Sequence, residues 1–119
     1  MKLAISSKGM DLDSQVDPRF GRAAYLLFVD SDTLDFESVD NSENVNAFKG
    51  AGIQTATLVG EKGVDALLTG HCGPNAFKIL ETAKIKVACD VSGTVRDAVI
   101  SCNEGKLTFV DNADVEGYS

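Results

Sequence analysis

The stretch Val64-Asp65-Ala66-Leu67-Leu68-Thr69-Gly70-His71-Cys72-Gly73-Pro74-Asn75 decides how this chain is read. An apolar run leads into a glycine turn, and Pro74 suits the first position of a helix. The pattern is strand, tight turn, helix N-terminus. His71 is the only histidine in 119 residues, and Cys72 is one of three cysteines. A thiolate and an imidazole beside outward-pointing N–H groups suit an anion or a metal–sulfur species. A helix N-terminus favours the thiolate form of a cysteine. The structural alternative is a turn whose cysteine packs as a small apolar residue.

Working outward, strands and helices alternate. On the N-terminal side, Gly50-Ala51-Gly52 opens a helix to about Glu61, and Gly63 ends it. On the C-terminal side, Pro74 to Ala83 reads as a helix, with Ala76, Phe77, Leu80 and Ala83 on one face. Lys84 to Ala88 is a short strand. Ser92-Gly93-Thr94 then caps a third helix with Val95, Ala98, Val99 and Cys102 on its apolar face. Leu107 to Val110 can add a small edge strand.

The first forty residues differ. Leu3-Ala4-Ile5 is a short strand. A polar loop from Ser6 to about Ala23 follows, long enough to be either functional or partly disordered. Tyr25 to Val29 is a continuous apolar run, buried on both faces. A turn at Asp30 to Thr33 returns the chain as a weaker strand, Phe36 to Val39. Asp40 to Phe48 reads as a polar connector. The expectation is one α/β domain over residues 1–111, a three-layer fold whose central mixed five-stranded sheet is flanked by helices. Residues 112–119 form a polar tail, expected to fray. In such sheets ligands sit outside the carboxyl ends of the strands. The loop after the first strand, the His71-Cys72 turn and the Cys89 to Ser92 turn should meet there, together with the N-termini of the second and third helices.

The formal net charge of −7 argues against non-specific nucleic-acid binding, which relies on Lys and Arg neutralising phosphates. It does not bar a small anion. Seven charges at about 15 Å repel a monoanion by roughly 2 kcal/mol in unscreened water, and a Debye length of about 8 Å reduces that to a few tenths. One arginine at about 4 Å contributes about 4 kcal/mol at an effective dielectric of 20, so local placement decides. The cysteines, Cys72, Cys89 and Cys102, are odd in number and form no C-x-x-C pair. That disfavours a disulfide framework and a four-cysteine metal site. No apolar run reaches 18 residues, and the first residues do not make a signal peptide. A cytoplasmic location with reduced thiols is expected.

Four tracts in order, Val16-Asp17-Pro18-Arg19-Phe20-Gly21-Arg22-Ala23, Gly50 to Ala56, Gly70 to Ala76 and Gly93-Thr94-Val95, carry a family resemblance. The chain resembles the dinitrogenase iron–molybdenum cofactor-binding and biosynthesis family over roughly Met1 to Leu107. The resemblance implies a ribonuclease-H-like fold and a cytoplasmic protein of anaerobic or nitrogen-fixing prokaryotes. It implies a binding or carrier role, not an enzyme. The cargo would be the iron–molybdenum cofactor or a related molybdenum-, iron- or copper-sulfide cluster. One small member holds a molybdenum–copper sulfide cluster without covalent attachment. Partners would be cofactor-assembly or acceptor proteins, with no nucleic acid and no membrane.

The candidate cofactor-binding residues are Arg19, Arg22, Gly50, Gly52, His71, Cys72, Gly73, Asn75 and Thr94, with His71 and Cys72 as metal contacts. Arg19 and Arg22 could pair with an anionic cluster, or form a salt bridge with Asp17 around a buried Phe20. Gly50 and Gly52 could cradle an anion, or simply start a helix. Ile53 and Ala56 are expected in the core, as is Cys102. Cys89 reads as a strand-end thiol that could meet Cys72 across the strand ends. Asp11, Asp13 and Asp17 lack the glycine and terminal Glu of a calcium loop. Two further functions stand beside the carrier reading. One is a cofactor-free regulatory or interaction domain. The other is a Cys72-dependent sulfur transferase or phosphatase, although Cys72-x5-Lys78 lacks the arginine of a phosphatase loop and Pro74 removes a donor.

Overall fold

The structure, a computed structural model, describes residues 1–46 and 50–110. Its sheet is mixed and has six strands, in the order β3-β2-β1-β4-β5-β6. These are β1 (Lys2–Ser7), β2 (Tyr25–Asp30), β3 (Phe36–Asp40), β4 (Ala66–Leu68), β5 (Lys86–Ala88) and β6 (Phe109–Val110). Four helices flank it: α1 (Ser42–Val45), α2 (Ala51–Glu61), α3 (Pro74–Thr82) and α4 (Val95–Asn103). The five-stranded expectation is corrected to six. Phe109 and Val110 pair antiparallel with Ala88 and Val87, although two residues leave almost no periodic signal to count.

β1 sits centrally. It runs antiparallel to β2 and parallel to β4, with Ala4 opposite Leu67 and Ile5 opposite Leu68. β4 runs parallel to β5. The carboxyl ends of β1, β4 and β5 therefore lie at one edge.

Alternation along the strands divides the core in two. Ala4, Leu26, Leu67 and Val87 pack with Ala56 and Val59 of α2 and with Ala76, Phe77 and Leu80 of α3. Leu3, Ile5, Leu27, Val29, Ala66, Leu68 and Ala88 face the other way, onto Val95, Ala98 and Val99 of α4. This is the two-residue side-chain period of a strand applied to a sheet covered on both faces. The helices α2 and α3 thus share one face, and α4 lies on the other.

The long loop after β1 is ordered. Lys8 N–H donates to Gln15 O (2.9 Å) and Asp17 N–H to Ser6 O (2.8 Å). Leu12 and Val16 are buried in the α4-side core, and Phe20 is buried in the other. The expected polar connector after β3 holds the short helix α1 at Ser42–Val45. The expected 112–119 tail lies outside the described residues. No helix among the described residues is long and apolar enough to cross a membrane.

Candidate functional site

The site begins where the long loop meets the turn after β4. Arg19 and His71 form a parallel bridge. His71 N–H donates to Pro18 O at 2.7 Å, and Phe20 N–H donates to His71 O at 3.2 Å. Gly70 is required there, since a methyl group on it would fall 2.5 Å from Pro18 Cα and 2.6 Å from Pro18 O. Beneath this junction lies a small polar relay. Thr69 Oγ1 and Ser6 Oγ are 2.7 Å apart, and Ser6 Oγ donates to Asp17 O at 2.7 Å. The buried Asp17 carboxylate accepts Arg19 N–H at 3.0 Å and lies 3.6 Å from Arg19 Nε. The salt bridge and the buried Phe20 of the structural alternative are thus both present, yet the Arg19 side chain stays 66% exposed.

A short 3-10 turn, Phe20–Arg22, carries the loop over the starts of α2 and α3. Between them lies a cleft of about 190 Å³ lined by Phe20, Gly21, Gly50, Gly52, Ile53, Gly73, Pro74, Asn75 and Ala76. None of these residues is charged. Neither helix start is capped by a side chain: Gly50 (φ 74°) precedes α2 and Gly73 precedes α3. The first-turn N–H groups of a helix have no carbonyl within it to bond. Gly52 and Ile53 of α2, and Asn75 and Ala76 of α3, are first-turn residues that line the cleft. Each helix start carries about half a positive charge. Two such ends meet at a cleft with no carboxylate among the described residues lining it.

Of the nine candidate residues, Gly50, Gly52, Gly73 and Asn75 line this cleft. Arg19 and the exposed His71 stand beside each other on the adjoining rim. Arg22 is turned toward a different depression, with Tyr25, Asp40, Ser42, Val45 and Asn46. Cys72 is 0% exposed and belongs to the same apolar cluster as Phe20 and Ala76. Cys89 is half-buried against that cluster.

Thr94 is elsewhere. Its hydroxyl accepts Asp97 N–H at 3.0 Å, and its own N–H donates to Asp97 Oδ2 at 3.3 Å, a complete capping box. Val95 N–H donates to Ser14 O (2.9 Å) and Arg96 N–H to Leu12 O (2.8 Å). The long loop therefore occupies the start of α4, on the far face of the sheet. The expected pair of helix ends is corrected: α2 and α3 converge, and α4 does not.

Ile53, expected in the core, is 40% exposed at the cleft mouth. As a first-turn residue on the cleft side it has no sheet above it, whereas Ala56, one turn on, is buried. Sequence reasoning missed Asn41 and Thr55, both fully buried. A buried asparagine in a polar segment carries no periodic mark. Among the described residues there is no group of three His, Cys, Asp or Glu able to hold a metal ion.

The fold and sequence are shared with known proteins. Residues 1–114 match the family model described as dinitrogenase iron-molybdenum cofactor. The apo form of the orange protein from Desulfovibrio gigas is similar, with a TM-score of 0.91, 40% identity and 95% of each chain covered. A Thermotoga protein assigned provisionally as NifB gives a TM-score of 0.82, 34% identity and 98% coverage of each chain. An uncharacterized protein of Methanocaldococcus jannaschii is 24% identical over 110 residues, which cover 90% of this chain and 93% of that one.

Proposed function

This chain belongs to the dinitrogenase iron–molybdenum cofactor family, and on that premise we propose that it is a carrier whose cleft holds an anionic metal–sulfur cargo without covalent attachment. One observation carries the reading: two uncapped helix starts, of α2 and α3, face one uncharged cleft. Backbone N–H groups there can donate to sulfide or oxide ligands while the metal keeps its own first coordination sphere. The donor set fits this outer-sphere mode. A cleft of about 190 Å³ is smaller than the roughly 300–1,000 Å³ of pockets for drug-sized ligands. It suits a compact sulfidometallate, or one end of a larger iron–molybdenum cluster.

Arg19 and His71 supply the rim, Arg19 as a fixed cation and His71 as an exposed imidazole. Arg22 adds long-range charge only. Cys72 is fully buried in the apolar cluster that also holds Phe20 and Ala76 of the cleft lining, so a direct sulfur–metal contact requires that cluster to open first. The same burial weighs against a Cys72 nucleophile, which needs an open approach. The protein binds and releases, and no bond-making step is assigned to it. Delivery and receipt fall to assembly or acceptor proteins in the same compartment, the cytoplasm. The ribonuclease-H-like description belongs to this proposal, supported by the central β1 and the order β3-β2-β1-β4-β5.

The test is anaerobic titration with tetrathiomolybdate, followed by its visible absorption and by amide shifts. Shifts centred on Gly52, Ile53, Asn75 and Ala76 support the reading. Shifts centred on Thr94, or no saturable binding, would sink it.

A further inference from the structure

Asn41 occupies the position just before α1, where an asparagine normally caps the helix with its side chain. It does not do so here. The carboxylate of Asp40 takes the Ser42 N–H instead, at 2.7 Å. The Asn41 side chain turns inward and is completely buried. Its Nδ2 donates to Ala23 O at 2.9 Å and to Thr55 Oγ1 at 3.2 Å. Its Oδ1 accepts from Asn44 Nδ2 at 2.8 Å and from Thr55 Oγ1 at 3.3 Å. Its own N–H donates to Ala24 O at 2.9 Å.

Two of these partners, Ala23 and Thr55, belong to two of the three elements that line the cleft, the 3-10 turn and α2; the start of α3 is the third. Ala23 directly follows the Phe20–Arg22 turn, which supplies Phe20 and Gly21. Thr55 lies three residues beyond Gly52 on α2, whose start supplies Gly50, Gly52 and Ile53. In front, the turn and α2 meet backbone to backbone at Gly21 and Gly52. Behind, they are joined by Asn41. A fully satisfied buried polar network is rigid, and it resists changes in the spacing of the elements it joins.

We propose that Asn41 and Thr55 are positioning residues that hold the 3-10 turn at its spacing from α2, and so set the shape of that side of the cleft and its affinity for a compact anion. The affinity part rests on the carrier reading; the spacing part does not. Neither side chain touches the cargo. Each acts through the elements it ties together.

The experiment compares the full chain with Thr55→Val, which removes the hydroxyl and keeps the shape, and with Thr55→Ser, which keeps the hydroxyl. Two quantities are read: the nuclear Overhauser contact between Gly21 Hα and the Gly52 amide, without ligand, and the dissociation constant for tetrathiomolybdate. The expected result is a folded Thr55→Val protein with a weakened Gly21–Gly52 contact and at least fivefold weaker binding. Thr55→Ser should stay within twofold of the parent in both. Asn41→Ala, where it folds, should follow Thr55→Val. An unchanged Gly21–Gly52 contact in Thr55→Val overturns the positioning role, as does an equal loss in Thr55→Ser and Thr55→Val. If the parent itself fails to bind tetrathiomolybdate, the carrier reading falls, and the Gly21–Gly52 contact still decides the spacing.

Discussion

Gly21 and Gly52 meet backbone to backbone: a methyl group on Gly21 would lie 2.7 Å from both Cα and N of Gly52. No side chain there can yield to make room. Gly21→Ala is therefore expected to push the 3-10 turn away from α2 and cost about 1–3 kcal/mol, as overpacking does. Gly52→Ala meets only the Ala76 methyl, at 3.6 Å, and should keep parent-like stability while narrowing the cleft. Thermal unfolding of the two variants checks the contrast. A Gly21→Ala protein as stable as Gly52→Ala would contradict the contact.

Thr94 makes a prediction of the opposite kind. Thr94→Ala removes the capping box and should cost about 1 kcal/mol, a fall in Tm of about 4 °C for a domain of this size. Anion binding should not change, because α4 opens on the other face of the sheet. A binding loss larger than twofold would return Thr94 to the site.

Arg19 is mostly exposed, so its contribution is screened. Arg19→Ala should leave Tm within about 1 °C and weaken tetrathiomolybdate binding by about two- to fivefold at low salt, the range of an exposed charge pair. The difference should shrink above about 0.15 M salt, where the Debye length is about 8 Å. Titrations at two ionic strengths test this, and a salt-independent loss would mean that Arg19 acts through structure.

Burial pushes the Cys102 thiol above the ordinary cysteine range. A raised value means less thiolate at a given pH, so Cys102 should alkylate more slowly than a free thiol at pH 8. Its rate should keep rising where a model thiol has levelled off. Mass spectrometry of iodoacetamide adducts across pH 7–10 measures it. A Cys102 profile matching a model thiol would show that the α4 face is more open than its packing implies.

Acid should loosen two turns. Asp30 and Asp40 are held below the usual carboxylate range, Asp30 by the N–H groups of Asp32 and Thr33 and Asp40 by that of Ser42. Each folded value lies below the unfolded one, so the stabilisation is complete above about pH 4 and is lost as pH falls through the folded values. The protection factor of the Ser42 amide, corrected for the intrinsic pH dependence of exchange, should fall as the Asp40 carboxylate is protonated in the parent, and should show no such step in Asp40→Asn.

Much of the fold was legible in the sequence because its central elements are strongly patterned. The Val64–Leu68 run, the proline at position 74 and the glycine-flanked α2 each state their own structure locally. The small edge strand expected within Leu107 to Val110 is present at Phe109–Val110; only the count of five strands left it out, because two paired residues have no period. The spatial grouping of the candidate residues was legible only in part. The glycines at 50, 52 and 73 and Asn75 fell into one cleft, and Arg19 came to lie beside His71. Which helix ends would converge could not be read, because that depends on which face each helix covers, and alternation does not say which strand face α4 will take. Ile53 went astray because its apolar side chain sits in the first turn of α2 at the cleft mouth, where it is 40% exposed. Asn41 was invisible because a cap-preferring residue in a polar segment suggests a surface turn, and only tertiary contact reveals that it looks inward.

The loop that plugs α4 with the carbonyls of Leu12 and Ser14 has a wider consequence. Three substantial helices begin near one edge of this sheet, yet the chain itself stops up the third of them. Among the described residues the candidate cleft thus opens on the α2–α3 flank, while the α4 start on the opposite flank is covered from within. Trimming residues 10–14 back to a short turn should free the Val95 and Arg96 N–H groups, yet the Asp97 carboxylate of the capping box stays beside them, so that flank should still turn anions away.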